Sequence, residues 1–180
     1  EIPQGDWSSD VCSSDLSMKT QVTHLGMIDS ENRQQSYGAR IQLDGKEVYV
    51  DLNFYTLRPD ASGWAEVYED YITHLAEHRR TVETALHRDF EKGGIVRKYI
   101  DCHLKELPSS ILEKMLAPAP PSLSPEERLL SLLSLKRIGL YPGDDAYAVW
   151  DYTPGWQYTD QLIVGNTDEA GKLEYVSWES

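Results

Sequence analysis

The order of hydrophobic periods along the chain limits its fold more than any other feature. Segments near both ends alternate with period two, whereas the stretch from Trp64 to Leu135 repeats near 3.6. Strands, then helices, then strands predict an α+β layer fold and not an alternating parallel α/β one. At the front, Tyr37–Leu43 and Glu47–Phe54 flank Asp44-Gly45, two residues that tolerate the positive φ of a tight hairpin turn. Val48, Val50, Leu52 and Phe54 line one face of the second arm. Gln21–Ile28 is a further short strand candidate, and Arg58-Pro59-Asp60 closes the first sheet run.

In the middle, Trp64, Val67, Tyr68, Tyr71, Ile72 and Leu75 form a helical stripe that Val82, Ala85, Leu86 and Phe90 continue in phase. One helix over that range is about 40 Å long at 1.5 Å per residue, too long for a compact domain, so a break is expected near Glu77–Arg80. Gly93-Gly94 stops the run. Val96, Tyr99, Ile100, His103, Leu104 and Leu107 mark the next helix, and Ser110–Leu116 a short one. The Pro-rich stretch at 117–123 reads as a surface link within one domain, because neither side holds enough core alone. Ser124-Pro125-Glu126-Glu127 is a helix start, with an N-cap serine, proline at N1 and acids in the first turn. Leu129–Leu135 then supplies a leucine-rich buried helix.

The last third returns to strands at Arg137–Tyr141, Ala146–Tyr152, Gln161–Asn166 and Leu173–Trp178, with turns at Pro142-Gly143-Asp144, Pro154-Gly155 and Asp168–Gly171. Hairpin-length connections predict an antiparallel meander. The expected architecture is thus α+β: an N-terminal β-hairpin, central helices and a C-terminal antiparallel β-meander packed as one domain over 18–180.

Residues 1–17 stand apart. Asp6–Leu16 reads DWSSDVCSSDL, without periodicity, and looks like the conceptual translation of a sequencing-library adapter. The alternative is a native Ser/Asp-rich disordered tail; on the first reading Met18 is the expected natural start. The segment changes the charge balance. Glu1, Asp6, Asp10 and Asp15 lie within it and no Lys or Arg does, so without it 30 acids become 26 against 17 bases, and −13 becomes −9. Cys12 goes too, leaving Cys102 without an intrachain disulfide partner, which fits a reducing compartment. No apolar run approaches the ~18 residues of a membrane span. The cytoplasm is the expected location. Negative charge repels phosphate backbones and anionic lipid, so nucleic acid and membranes are poor partners and a basic protein or a cation is a better one. Oligomeric state stays open.

Five runs carry a resemblance: VYVDLNF at Val48–Phe54, RIGLYP at Arg137–Pro142, AVWDYT at Ala148–Thr153, TDQLIV at Thr159–Val164 and VSWES at Val176–Ser180. In this order they resemble the bacterial family known as domain of unknown function 2004, over roughly Tyr37 to Ser180. The resemblance implies no activity or catalytic residue to carry over. Related small acidic bacterial domains often act as immunity proteins that neutralise a toxin, which makes an immunity-like role an expectation by association.

Three places invite chemistry. His74, Glu77 and His78 spell H-x-x-E-H, in which two histidines one turn apart bind zinc and the glutamate serves as general base; a third ligand is not flagged, and a boundary histidine on an apolar stripe is the plainer reading. Cys102 and His103 are adjacent, but helical neighbours diverge by ~100° and do not meet as nucleophile and base. Asp151–Asp160 concentrates Tyr152, Trp156 and Tyr158 beside Asp151 and Asp160, in a loop between two strands. Aromatic anchors with steering carboxylates suit recognition of a basic protein. The plainer reading has Tyr152 and Trp156 closing the core and the acids capping turns. Glu179 reaches such a site only if the last strand is central. No Gly-rich phosphate loop, G-x-S-x-G elbow or basic aromatic stripe occurs. The expected function is a non-catalytic interaction domain with Asp151, Tyr152, Trp156, Tyr158 and Asp160 as its binding residues and no cofactor. A zinc hydrolase using His74, Glu77 and His78, and a small-ligand-binding housekeeping domain, are the alternatives.

Overall fold

Period two at the front becomes two hairpins, and they have different fates. A computed structural model describes residues 19–32, 35–55 and 63–180. The adapter-like segment, Met18 and Arg58-Pro59-Asp60 lie outside them. The Gln21–Ile28 candidate is a hairpin and not one strand: β1 (Lys19–Val22) and β2 (Gly26–Asp29) pair around a turn where His24 and Gly26 take φ of 68° and 76°. β3 (Tyr37–Leu43) and β4 (Lys46–Leu52) pair around Asp44-Gly45, both at positive φ (50° and 76°). That is the backbone a two-residue primed turn requires.

The second hairpin does not stand alone. β4 runs parallel to β5 (Ser134–Leu140), and β5 begins an antiparallel meander with β6 (Ala148–Thr153), β7 (Leu162–Thr167) and β8 (Leu173–Glu179). The result is one six-stranded sheet ordered β3-β4-β5-β6-β7-β8. Parallel neighbours need a crossover. Here the five helices of the described residues form it: α1 (Trp64–Thr73), α2 (Leu75–Glu91), α3 (Ile95–Glu106), α4 (Ser109–Leu116) and α5 (Pro125–Leu132).

The break in the long helical stripe falls at His74, earlier than Glu77–Arg80. Thr73 Oγ1 donates to the Glu69 carbonyl and His74 Nδ1 bonds the Asp70 carbonyl, while the His74 amide reaches back only three residues to Tyr71. Side chains that capture carbonyls four residues back loosen a helix at that point. The leucine-rich helix is also shorter than expected. α5 starts on a full capping box between Ser124 and Glu127 but ends at Leu132, and Ser134 and Leu135 already belong to β5. A leucine run fits a buried strand as well as a helix, and pairing with β6 decides it. In the Pro-rich link Ala119 is buried, and Arg128 Nη2 of α5 donates to the Leu116 carbonyl at the end of α4.

The helices cover one face of the sheet. Val48, Val50, Leu52, Ile138, Leu140, Trp150, Tyr152 and Ile163 point into this core and are buried. Packing there is close enough that a Cβ on Gly165 would sit 2.6 Å from Val82 Cγ1. The indole of Trp150 donates to Tyr71 Oη (2.9 Å), which in turn bonds Thr167 Oγ1 at 2.7 Å, so these three polar groups are paired across α1, β6 and β7. Strands, helices and sheet pack as a single α+β domain.

Candidate functional site

A one-residue irregularity sets up the polar centre of the other sheet face. In the β5–β6 ladder Leu135 pairs with Tyr152 and Arg137 with Asp151, so Lys136 is a bulge. Without it Arg137 would share the helix-facing side with Leu135; with it the guanidinium is turned to the opposite face, where bulges commonly re-aim a side chain. Asp51 of β4 pairs with Gly139 in the parallel ladder. A Cβ at Gly139 would sit 2.5 Å from Arg137 Nη2, so the missing side chain is what lets Arg137 lie along its own strand to reach Asp51.

The resulting cluster is dense. Arg137 Nε and Nη2 donate to the two oxygens of Asp51 (2.6 and 2.8 Å), Nη1 donates to Asp151 Oδ2 (3.1 Å) and Nη2 to Tyr141 Oη (2.7 Å). Asn53 Nδ2 also donates to Asp51 Oδ1, and Ser36 Oγ to Asn53 Oδ1. The side chains of Asp51 and Asp151 are 5 % and 9 % exposed, against 31 % for Arg137. Bidentate geometry makes Asp51 the primary partner. Burial pushes the Asp151 carboxyl up; its single bond to Arg137 pulls the other way, and the charges of Asp51 and Glu179 add to the rise. Burial works against the Arg137 charge, but its bonds to Asp51 and Tyr141 more than offset that and hold the guanidinium protonated. Tyr49 and Tyr175 stand exposed on this face, and exposed Tyr55 packs 6.5 Å from Tyr141.

The Asp151–Asp160 segment is divided by the strand that begins it. Asp151 is buried in the ion cluster on one face. Tyr152 is buried on the other, its hydroxyl 3.4 Å from Glu83 Oε1. Trp156 is 57 % exposed, Asp160 is exposed and Tyr158 is half-buried against the core. Asp151 and Tyr152 are therefore interior groups, and the part of the segment open to a partner is the β6–β7 loop. That loop is tightly held. Its backbone closes on Gly155, which accepts from Tyr158 and Thr159, and Gly155 N donates to Thr153 Oγ1. From α3, His103 Nε2 bonds Thr159 Oγ1 (2.9 Å) and Tyr99 Oη donates to the Gln161 carbonyl (2.9 Å). From β8, Trp178 Nε1 donates to Gln161 Oε1 (2.8 Å).

His103 is thus a loop anchor, its Nδ1 bonded to the Tyr99 carbonyl, and burial pulls it below the ordinary histidine value. Cys102 is a free, partly exposed thiol with no such partner among the described residues. His74 sits at the α1–α2 break and His78 one turn into α2, with ring centroids 6.1 Å apart. His74 Nδ1 is committed to the Asp70 carbonyl, and His78 is buried against Tyr71 with Nε2 unpartnered. Among the described residues no three His, Cys, Asp or Glu side chains converge to hold a metal. No described helix is long and apolar enough to cross a membrane.

Comparison with known proteins adds nothing to this geometry: no family profile, no curated protein and no solved structure matches the chain. The cluster itself went unread in the sequence. Of its members the sequence singled out Asp151 alone; the remaining signals were an acid inside the apolar run VYVDLNF and an arginine two residues before a glycine in RIGLYP.

Proposed function

We propose that this chain is a non-catalytic protein-interaction domain of immunity-like type, akin to the bacterial domain of unknown function 2004, that neutralises a basic protein partner. The observation that carries the reading is Trp156. Its indole is 57 % exposed, on a loop fixed by hydrogen bonds from α3 and β8. A large aromatic left in solvent on a preorganised loop is the anchor from which hot spots are made, because little further ordering is needed on binding. Asp160 lies exposed in the same loop, and the excess of acids over bases favours a basic partner. Tyr49 and Tyr175 are also exposed, on the sheet face opposite the helices.

The test is retention of a partner. The 18–180 chain, Trp156→Ala and Asp160→Lys are each used to isolate complexes from the source organism's lysate and examined by native mass spectrometry. The reading expects a stoichiometric basic protein on the parent chain, released by moderate salt and lost from both variants. Equal retention by parent and variants removes the loop from consideration.

A further inference from the structure

The six-stranded sheet ends at β8, and among the described residues no other element bonds the outer side of its backbone. An edge strand presents a row of unpaired N–H and C=O groups, which proteins commonly blunt with lysine, proline or a covering loop. β8 reads Leu-Glu-Tyr-Val-Ser-Trp-Glu and holds neither lysine nor proline. A bulge at Glu174 interrupts its start, but Tyr175–Glu179 pairs regularly with β7. Both faces beside this edge are unfinished. On the helix face Leu173, Val176 and Trp178 pack on the core yet stay half-buried, and Leu173 and Val176 line a shallow pocket of about 460 Å³ with Ala85 and Ile95. On the other face Tyr175 is exposed.

We propose that β8 pairs antiparallel with β8 of a second copy, about a twofold axis at Val176, joining the two sheets. The register selects a second copy over a foreign strand. Counted in rungs of the β7–β8 ladder, Val176 stands opposite Gly165, with Trp178 two rungs away on one side and Leu173 two on the other. Glu179 lies three rungs from Val176. The bulge adds Glu174 without adding a rung, so Lys172, whose carbonyl accepts from Asp168 N, lies three rungs away in the other direction. The axis therefore sets Val176 against Val176, Trp178 against Leu173, Ser177 against Tyr175 and Glu179 against Lys172. Each pair shares one face of the joined sheet, as side-by-side strands require, and both ends carry opposite charges although the chain as a whole is acidic. Counting residues instead of rungs would put Glu179 opposite Leu173, on the wrong face, so the bulge is what makes this edge complementary to itself.

The test is charge reversal with rescue. The full chain is followed by sedimentation equilibrium from low to high micromolar concentration, and hydrogen exchange is measured over the same range. The proposal expects a monomer–dimer equilibrium in which amides within Tyr175–Glu179 exchange more slowly as the dimer fills. Lys172→Glu sets an acid against Glu179 at both ends of the paired strands, and Glu179→Lys sets a base against Lys172. Each should weaken the dimer about tenfold, since two exposed ion pairs become two repulsions. The double variant Lys172→Glu/Glu179→Lys restores opposite charges at both ends and should return the affinity close to that of the parent. Both positions are exposed, so the exchanges leave the core untouched. A chain monomeric throughout the range, a dimer indifferent to either reversal, or a double variant as weak as the single ones would overturn the proposal. None of these outcomes bears on the Trp156 reading, which is judged by partner retention.

Discussion

Replacing Arg137 by methionine keeps most of the side chain's volume and removes its charge, leaving Asp51 and Asp151 on the sheet without a cation between them. Removing one member of a buried ion pair costs about 3–5 kcal/mol, much of it from the charge left behind. Arg137 is 31 % exposed, so the lower end applies and the expected loss at pH 7 is about 3 kcal/mol. For a domain of this size each kcal/mol lowers the midpoint by about 2–4 °C, giving a drop of roughly 6–12 °C by calorimetry. The pH dependence identifies the cause. Burial already raises the Asp151 carboxyl, and protonating it removes part of the uncompensated charge, so the difference between parent and Arg137→Met must shrink from pH 7 toward pH 4. Adding Asp51→Asn and Asp151→Asn should restore part of the loss at pH 7, because the replaced groups no longer need a counter-charge. A loss below about 1 kcal/mol, or one that is the same at both pH values, would refute the view that charge pairing organises this face.

Two further outcomes follow from packing and titration. Gly165→Ala places a Cβ 2.6 Å from Val82 Cγ1 and should destabilise by about 1–3 kcal/mol; combining it with Val82→Ala should cost less than the sum of the two single changes, measured by urea unfolding. His78 and His103 are both held below the ordinary histidine value by burial, so between pH 7.5 and their folded values the unfolded chain binds more protons. Stability should therefore fall as pH drops through about 6.5, and His78→Gln should flatten that fall. An unchanged slope in that variant would remove His78 as a contributor.

Where one period dominated, the sequence was enough. Asp44-Gly45 demanded a primed hairpin and has the positive φ values to match; Ser124 and Glu127 spelled a capping box and form one. Boundaries between periods were harder. The stripe from Trp64 to Phe90 stays in phase across His74, because the interruption comes from side-chain capture of the Glu69 and Asp70 carbonyls and leaves the apolar spacing unchanged. Leu132, Leu133 and Leu135 suit a buried helix or a buried strand, and only pairing with β6 makes Ser134 and Leu135 part of a strand. The parallel β4–β5 junction lay beyond any local signal, since its partners are separated by the whole helical crossover.

The same distinction explains the site. The exposure of Trp156 was the legible part, because a Pro-Gly turn commonly lies at the surface wherever the loop runs and depends little on distant residues. Asp151 and Tyr152 were misjudged as neighbours of one surface because consecutive strand residues point to opposite faces, and the strand continues to Thr153. The Asp51–Arg137–Asp151 cluster required three facts at once: the parallel register that sets Asp51 beside Gly139, the empty position at Gly139, and the bulge at Lys136. A strict alternation through Leu135, Arg137 and Gly139 puts Arg137 in the core, where an unpaired guanidinium is prohibitive. That contradiction is itself a signal. An arginine at the core parity set by Leu135 argues for one extra residue nearby, and Lys136 is the residue that resolves it.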